Sequence, residues 1–318
     1  MTAMMSNTTA SVTEFILHCE IRYEQRNFTV SILSFVYLMT LLGNFLVILV
    51  IRMNHHLQTP MYLYISTLAV IDLANSTNII PKMVAVLLGS AVAPYGPCLL
   101  QMYFVFYLEV VEALLFVFMA CDRYVAVLYP LQYPSLVTNK IVWISVFLSN
   151  VVSAIVLTPY MVFVTELHFC VTNILPYCFC DYATMVHISC TDNPKYLAIL
   201  STTTIMFGVF PVALILFSYF RIAQAALKIT SIDGKRKVLS TCLTHLVVMG
   251  LFYLPLMISY ILPGIGVKLS MDAYNILVIV ANVVPPMMNP IIYSFRNTEI
   301  KNSIQKLFMV IQASPNTS

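Results

Sequence analysis

An acid, a base and a phenol stand side by side near the middle of the chain, as Asp122, Arg123 and Tyr124. They lie at the end of a long apolar run that begins near Cys98. An arginine is too costly to leave in hydrocarbon, so Arg123 must reach a membrane edge, pair with an acid or bind a partner. Asp122 is the obvious acid, but adjacent helix positions do not face one another, which predicts an ion pair weak enough to break. Such a pair suits a switch, and the plainer alternative is an arginine that extends from a helix end beside an ordinary acid.

Three more acids, Asp72, Glu109 and Glu112, lie within apolar runs. Glu109 and Glu112 are three positions apart, so they share one face of a helix. We expect no lysine or arginine at the same depth in the membrane. The buried negative charge therefore needs protons or a bound cation to balance it.

The composition places these residues in a membrane protein. The chain is 60% hydrophobic and only 9% charged, with a mean hydropathy of +0.89, far from an ordinary soluble domain. The net charge of +3 is small and does not suggest nucleic-acid binding. The first residues lack a basic region followed by an apolar one, so we expect no cleavable signal peptide.

Seven apolar runs of about 20 residues or more predict seven membrane-spanning helices. Helices satisfy their backbone groups within each span, and the strand alternation of a β-barrel is absent. The fold class is therefore an all-α seven-helix bundle, expected to form a single domain. The predicted spans are residues 28–52, 61–89, 98–128, 141–164, 197–227, 238–262 and 271–294.

Charge predicts the orientation of the bundle. With the N-terminus outside, eleven of the sixteen lysines and arginines fall on the cytoplasmic side and five on the outside, as the positive-inside rule requires. Residues 1–27 are then an extracellular tail, and 295–318 a cytoplasmic tail. In the latter, apolar residues from Ile300 to Ile311 recur at helical spacing, which predicts a short amphipathic helix on the membrane surface.

The outer side is the expected site of glycosylation and of disulfide bonds. Asn7 lies in a sequon and is preferred to Asn27, which is almost at the membrane, while two further sequons fall in a span or in the cytoplasm. Six of the eight cysteines are extracellular in this topology, and six cysteines allow 15 pairings. A zinc site with His168 and His187 is a weak alternative, because the spacing fits no closed ligand pattern. Cys121 and Cys242, near the cytoplasmic face, are expected to be free.

Several motifs carry a resemblance that covers nearly the whole chain. They are Gly43-Asn44, Pro60-Met61-Tyr62, Asp72, MACDRYVAV at Met119–Val127, Ser218-Tyr219, KVLSTCLTHL at Lys237–Leu246, Phe252-Tyr253 and PMMNPIIYSFRN at Pro286–Asn297. With them the chain resembles the rhodopsin-like G-protein-coupled receptors, and within these the olfactory receptors. Cys121, Tyr129-Pro130 and the extra Cys178 depart from the usual pattern, and the overall appearance is closer to fish-type receptors than to mammalian ones.

The resemblance implies roles for residues on the outer side and in the bundle core. Cys98 would bond Cys180, and Cys170 would bond Cys190, which leaves Cys19 and Cys178 as a third candidate pair. Asp72 and Glu112, with Asn44 and Asn289 nearby, resemble a sodium or proton site that favours the inactive packing. The plainer alternative is a hydrogen-bonded polar core with a protonated acid. No other cofactor or metal is expected.

The resemblance also implies a ligand pocket in the outer half of the bundle. Its predicted lining is Phe106, Glu109, Val110, Thr203, Tyr253 and Tyr260, a mostly apolar set. Glu109 could pair with a cationic ligand or, if protonated, donate to a carbonyl or ether. Alternatively it shares a proton with Glu112 in the core. No lysine or arginine maps into the pocket, so a carboxylate ligand is not expected.

The implied mechanism is odorant-driven activation of a heterotrimeric G protein, stimulatory and with a rise in cAMP. Ligand contacts at Tyr253 would move the sixth helix outward, separate Arg123 from Asp122, and open a cavity for the G protein. The residues with implied switch and coupling roles are Asp122, Arg123, Tyr124, Tyr219, Asn289, Pro290 and Tyr293.

Other functions fit the sequence less well. A rhodopsin-like receptor for a hormone or lipid shares the same fold and switch, so the sequence does not separate it from an odorant receptor. An ion transporter or channel is remote, because no inverted repeat is visible. An enzyme would need a nucleophile and base or a metal cluster, and we expect none, since His245 stands alone near the cytoplasmic end.

Overall fold

The computed structural model describes residues 12–19, 21, 23–264 and 270–313. Within this part of the chain, seven helical segments are long and apolar enough to cross a membrane, which confirms the predicted fold class. The fifth span consists of α7, a π-helical turn and α8. The helices are α1 (Arg26–Met53), α2 (Pro60–Leu87), α3 (Tyr95–Leu128), α4 (Tyr133–Leu136), α5 (Asn139–Thr165), α6 (Tyr182–Ile188), α7 (Lys195–Thr204), α8 (Phe210–Leu227), α9 (Ile232–Gly264), α10 (Met271–Arg296) and α11 (Thr298–Ala313).

The start and end of α2 show how local sequence sets the helix limits. Pro60 occupies the first turn, where its missing N–H costs nothing because no carbonyl would accept it. At the other end Gly89 has a φ of 104°. The N–H of Gly89 bonds the carbonyl of Val86 at 3.0 Å, and that of Ser90 bonds Ala85 at 2.8 Å. These two bonds form a Schellman motif, in which glycine readily takes the left-handed conformation that ends the helix.

The fifth span is interrupted by a π-helical turn at Ile205–Val209. The N–H of Phe210 bonds the carbonyl of Ile205, so one extra residue is inserted into the turn. Pro211 follows at once, and its ring would clash with the carbonyl of Phe207 in a regular α-helix. The wide turn avoids this clash. Turns of this kind are often found at functional sites.

Helices α1 and α10 come close together at Gly43. A Cβ added there would lie 2.9 Å from Cγ of Pro290, so only glycine leaves room for the proline ring. Beside this contact the side-chain amide of Asn44 donates to the carbonyl of Pro286 at 2.8 Å. A backbone carbonyl of the proline-rich α10 thus finds its partner on a neighbouring helix.

A three-stranded sheet covers the outer end of the bundle and was not predicted. Its strands are β1 (Glu14–Leu17), β2 (Val92–Pro94) and β3 (Ile174–Leu175). The order is β2-β1-β3, with β1 antiparallel to β2 and parallel to β3. Three separate chain segments, from the N-terminal tail, the loop before α3 and the loop after α5, therefore meet in one layer. We call this sheet, together with the loop residues 166–194 that carry β3 and α6, the lid.

The buried apolar side chains form two clusters. The outer cluster joins the lid to the outer halves of the helices and includes Phe15, Tyr177, Phe179 and Tyr182, each at most 1% exposed. The inner cluster fills the cytoplasmic half between α2, α3, α8, α9 and α10. It also holds Ile300 of α11 at 0% exposure, so the amphipathic helix packs partly against protein.

Candidate functional site

A cavity lies in the outer half of the bundle between α3, the fifth span and α9. Together with the solvent space that opens into it, it comprises about 560 Å³ not filled by atoms. Among the described residues its wall is almost wholly apolar, apart from three hydroxyls and one carboxyl group. The lining residues are Phe106, Glu109, Val110, Ala113, Leu200, Thr203, Thr204, Phe207, Gly208, Phe252, Tyr253, Leu256 and Met257.

Five of the six residues expected at a ligand pocket line this one cavity. They are Phe106, Glu109, Val110, Thr203 and Tyr253. The side chain of the sixth, Tyr260, lies outside the described residues. Most of the wall from the fifth span and α9 was not predicted from the sequence, for example Leu200, Phe207 and Leu256. Their signal was available, because residues three and four positions from Thr203 and Tyr253 share their helix faces.

Aromatic side chains connect the cavity to the lid above it. The ring of Phe106 stacks on Tyr160 of α5 with centroids 5.6 Å apart, and Tyr160 meets Tyr182 of α6 edge to face at 4.7 Å. The hydroxyl of Tyr160 also bonds Thr203. The roof and one wall of the cavity are therefore positioned by the same tyrosine.

A short chain of amides lies beside Glu109 on the opposite side. The side chain of Asn282 in α10 is near enough to interact with the Glu109 carboxyl group. The amide nitrogen of Asn75 donates to the amide oxygen of Asn282 at 3.3 Å, and the nitrogen of Asn282 donates to the carbonyl of Val278 at 3.1 Å. Since the Asn282 oxygen accepts from Asn75, its NH₂ group is the part of this amide that can donate to Glu109.

The other two acids lie deeper, in a polar core. The amide nitrogen of Asn289 donates to both carboxyl oxygens of Asp72, at 3.3 and 3.0 Å. Glu112 is 3% exposed and its Oε1 has no hydrogen-bond partner. Oδ1 of Asn289 and the hydroxyl of Ser76 are also buried and unpartnered. Carboxyl, amide and hydroxyl oxygens suit a hard cation such as sodium, so these residues fit the group that the resemblance implies.

Asn44 lies beside Asp72 and Asn289 but does not bond either of them. Its amide donates to the carbonyls of Thr40, at 3.0 Å, and Pro286. All three polar residues border one small space together with Pro290. The structure therefore places Asn44 as a link between α1 and α10 at the edge of the polar core.

The expected ion pair between Asp122 and Arg123 is not formed. No ion pair within 4.0 Å joins these two side chains in the described part of the chain. Asp122 instead accepts a hydrogen bond of 2.9 Å from the hydroxyl of Tyr133, in the short helix α4. The neighbouring arginine was the expected partner of Asp122, and Tyr133, eleven positions further along the chain, was not predicted. Burial, and next the charge of Asp122, raise the pKa of Tyr133, so the phenol keeps its proton and remains a donor.

Arg123 faces a second cavity, at the cytoplasmic end. About 1090 Å³ there is not filled by atoms. Nε of Arg123 and the hydroxyls of Tyr219 and Tyr293 are buried and have no hydrogen-bond partner among the described residues. The cavity wall is formed mainly by α9, α10 and the start of α11. Its residues are Tyr62, Arg123, Asp233, Arg236, Ser240, Thr241, Thr244, His245, Tyr293, Arg296, Asn297, Thr298 and Glu299.

Tyr124 and Tyr219 also have expected switch roles, but they do not line this cavity. Tyr219 of α8 is buried in the inner cluster. Tyr124 is half-buried, with its ring centroid 6.3 Å from that of Tyr129. Cys121 and Cys242 are both free thiols, as predicted.

Three disulfide bonds hold the lid. They join Cys98 to Cys180, Cys170 to Cys190 and Cys19 to Cys178. The predicted pairing is thus the one in the structure, including the third candidate bridge. Since all four loop cysteines are bonded to sulfur, they are not available as thiolates, and the zinc alternative is wrong.

Two acids of the lid have opposite electrostatic environments. Asp181 caps α6 by accepting from the backbone N–H and the hydroxyl of Thr184, each at 3.0 Å. Burial raises the pKa of Asp181, and these bonds only partly oppose the rise. Glu166, at the end of α5, is exposed and bonded by Lys195, which lowers the pKa of Glu166.

The sequons give one structural result. Asn27 is exposed in the first turn of α1, at the start of a membrane-spanning helix, which agrees with the lower preference given to it. Asn7 lies outside the described residues, and its glycosylation stays a prediction.

Seven apolar helices, an apolar cavity near one end and a polar cavity near the other are the features of a multi-pass membrane protein of the receptor class. A family model described as olfactory receptor matches residues 33–310. The chain is 36% identical over 306 residues to olfactory receptor 1E1 of Pan troglodytes, covering 96% of this chain and 97% of the relative. It is 34% identical over 307 residues to olfactory receptor 1J2 of Homo sapiens, with the same coverage.

A third relative is olfactory receptor 1 of Rattus norvegicus, 36% identical over 273 residues, or 86% of each chain. The chain belongs to the olfactory receptor family. It is therefore a rhodopsin-like odorant receptor and not an enzyme. These three relatives are mammalian, and the fish-type appearance stays a prediction.

Proposed function

We propose that this receptor couples odorant binding in the outer cavity to a stimulatory heterotrimeric G protein, which raises cAMP. It does so at the plasma membrane with its N-terminus outside. Residues 1–27 form the extracellular tail, 28–294 the spans and loops, and 295–318 the cytoplasmic segment. The observation that carries the proposal is the pair of cavities, because α3 and α9 line both of them.

Charge and sulfur chemistry support the orientation. The three disulfides lie at the end of the bundle with the ligand cavity, and disulfides persist on the oxidising, extracellular side. The opposite end carries Arg123, Arg236 and Arg296 around its cavity. Basic residues favour the cytoplasmic side, where they also meet anionic lipids.

The mechanism requires a ligand that binds two bundle states with different affinity. An odorant would touch Tyr253, whose hydroxyl donates to the carbonyl of Ala113 across the α9–α3 contact at 3.2 Å. Pro255, two residues on, lies inside α9 and marks a natural bend. Ligand binding there would favour an outward movement of the cytoplasmic end of α9.

This movement would widen the inner cavity for a helix of the G protein. Among the described residues Arg123 has no ion pair to break, so we infer an indirect restraint through the hydrogen bond of Tyr133 to Asp122. The hydroxyls of Tyr219 and Tyr293 lack partners and could turn toward Arg123 or the incoming helix. Tyr124 would adjust beside Tyr129 at the same end.

The polar core would bias the same equilibrium. A sodium ion, if bound, would supply positive charge to the oxygens of Asp72, Glu112 and Asn289. Asp72 and Asn289 orient one another through the hydrogen bonds between them, and Pro290 fixes α10 against α1 through its contact with Gly43. While a cation balances the negative charge of these acids, the helices would be less able to close inward.

The test is a cAMP assay in cells that display the full chain. Arg123→Ala should abolish the receptor-dependent signal, whereas Arg221→Ala, on the exposed face of α8, should leave it intact. Glu112→Gln, in the same assay with sodium or choline medium, should remove the sodium dependence of basal cAMP. A wild-type signal that persists in cells without the stimulatory G-protein α subunit would overturn the coupling proposal.

A further inference from the structure

The outer cavity has one carboxyl group among its described lining residues. That group is the carboxyl of Glu109, and the other polar groups in the wall are the hydroxyls of Thr203, Thr204 and Tyr253. The rest of the wall is apolar or aromatic. A carboxyl group in such a place is costly unless a partner compensates for it, and the cavity beside it is empty of protein atoms.

The other ionisable groups that act on Glu109 are also acids. They are Asp181, in the lid, and Glu112, one helical turn further in on α3. Acidic side chains therefore surround the one carboxyl group of the cavity wall, and a cationic ligand is the partner that would compensate them.

The described lysines of the outer half are already engaged elsewhere. Lys82 donates to the backbone carbonyl of Val92 at 2.9 Å. Lys195 bonds Glu166 at the edge of the lid. Neither lines the cavity, and no lysine, arginine or histidine does so within the part of the chain that the structure describes. No ion pair of these described residues involves Glu109.

The amide beside Glu109 is itself held in position. Asn282 accepts from Asn75 and donates to Val278, so its NH₂ group is fixed near the Glu109 carboxyl group before any ligand binds. This amide belongs to α10, whereas the cavity is lined by α3, the fifth span and α9, so a ligand would reach the carboxyl group from another side. A neighbour that is fixed in advance adds little entropic cost on binding, which raises affinity.

We propose that the ligands of this receptor are protonated amines with an apolar body, and that Glu109 is their counter-ion. This inference rests on the proposed receptor function. The ammonium group would bond the Glu109 carboxylate, with the ring of Phe106 or Tyr253 near enough in the wall to add a cation–π contact. The hydrocarbon body would lie against Phe207, Leu256 and the rest of the apolar wall. Anionic ligands would be repelled.

The test uses three six-carbon probes that differ in their polar group, namely hexylamine, hexanol and hexanoic acid. Phenethylamine and phenylethanol form a second pair. Cells displaying the full receptor are assayed for cAMP at neutral pH. The wild type should respond to the amines at lower concentrations than to the alcohols, and not to the acid. Glu109→Gln should raise the half-maximal amine concentration by about tenfold or more, because a charge-assisted hydrogen bond in a dry site is lost.

Two matched variants control the test. Glu109→Asp keeps the charge and should retain part of the amine preference. Glu14→Gln removes an exposed acid of the lid and should leave amine potency unchanged. Surface display of every variant is measured, and purified receptor is heated with hexylamine, which should raise the melting temperature of the wild type but not that of Glu109→Gln.

The outcomes separate the two proposals. Alcohols that match or exceed the amines, or an amine response that survives Glu109→Gln, would overturn the amine inference while the receptor function stands. The amine inference would also be overturned, and the receptor function kept, if basal cAMP depends on Arg123 but neither amine raises cAMP or stabilises the protein. Stabilisation by amine without any cAMP signal would support the ligand class and count against the G-protein coupling.

Discussion

The outer and the cytoplasmic halves of the bundle are held together by different means. In the outer half, three disulfides and a sheet tie the lid to the helices, and side chains such as Tyr177 and Phe179 are fully buried. In the cytoplasmic half, the described residues contain no disulfide, and polar atoms of Arg123, Tyr219 and Tyr293 are buried without partners. The difference indicates that the outer half keeps its shape, while the cytoplasmic half has interactions still to make.

The largest effect is expected from opening the lid at its main covalent link. Cys98→Ser removes the bond to Cys180, which closes a separation of 82 residues, and should destabilise the folded receptor by roughly 2–5 kcal/mol. Thermal unfolding of purified receptor, together with surface display, measures this. Cys121→Ser removes a free thiol and serves as the control.

Cys19→Ser sharpens the same comparison. It frees only the N-terminal segment, which keeps its backbone pairing with β2 and β3, so the loss of melting temperature should be smaller than for Cys98→Ser. Equal losses in the two variants would contradict the view that the bond at α3 is the main constraint.

In the cytoplasmic half we expect a smaller effect, and we expect it on signalling instead of stability. Tyr133→Phe removes the hydrogen bond to Asp122 and should leave the fold intact. Losing one hydrogen bond of about 1 kcal/mol shifts the equilibrium between inactive and active states by about fivefold, so basal cAMP should rise by up to that factor. Tyr129→Phe, at an exposed position, is the matched control. Unchanged or lower basal cAMP in Tyr133→Phe would show that this bond does not restrain the inactive state.

The smallest effect is expected from the exposed pair of Glu166 and Lys195. Lys195 holds the pKa of Glu166 below its ordinary value of 4.5. A depressed carboxyl pKa contributes stability that is complete above that ordinary value and is lost as the pH falls through the folded pKa. The melting temperature of the wild type should slightly exceed that of Glu166→Gln at pH 7, and the difference should vanish in acid. A difference that grows as the pH falls would contradict the assigned sign.

The sequence predicted the helices well because each span is long and uniformly apolar. The predicted third span, 98–128, lies inside the observed Tyr95–Leu128, and the other predicted spans differ by similar amounts at their ends, apart from a six-residue difference at the start of α9. The cavity residues on α3 were also predicted, because the resemblance fixes positions along a regular helix. Long, periodic elements carry their own signal, independent of distant contacts.

The lid and the partner of Asp122 could not be predicted in this way. The three strands have only four, three and two residues, too few for an alternating pattern to stand out. They also pair between segments that are far apart in the sequence, such as Leu17 with Leu175. Tyr133 lies in a four-residue helix whose position depends on the neighbouring helices. The π turn at Ile205–Val209 likewise depends on a local clash at Pro211, which hydropathy does not report.

The bond between Cys19 and Cys178 has a practical consequence for work on cells. A protease that cuts the chain between Cys19 and the start of α1 would not release the segment before it, because that segment stays covalently attached to the loop. An epitope placed at the N-terminus would then report full surface display even for a cut receptor. Only treatment with a reducing agent before detection would distinguish intact molecules from nicked ones.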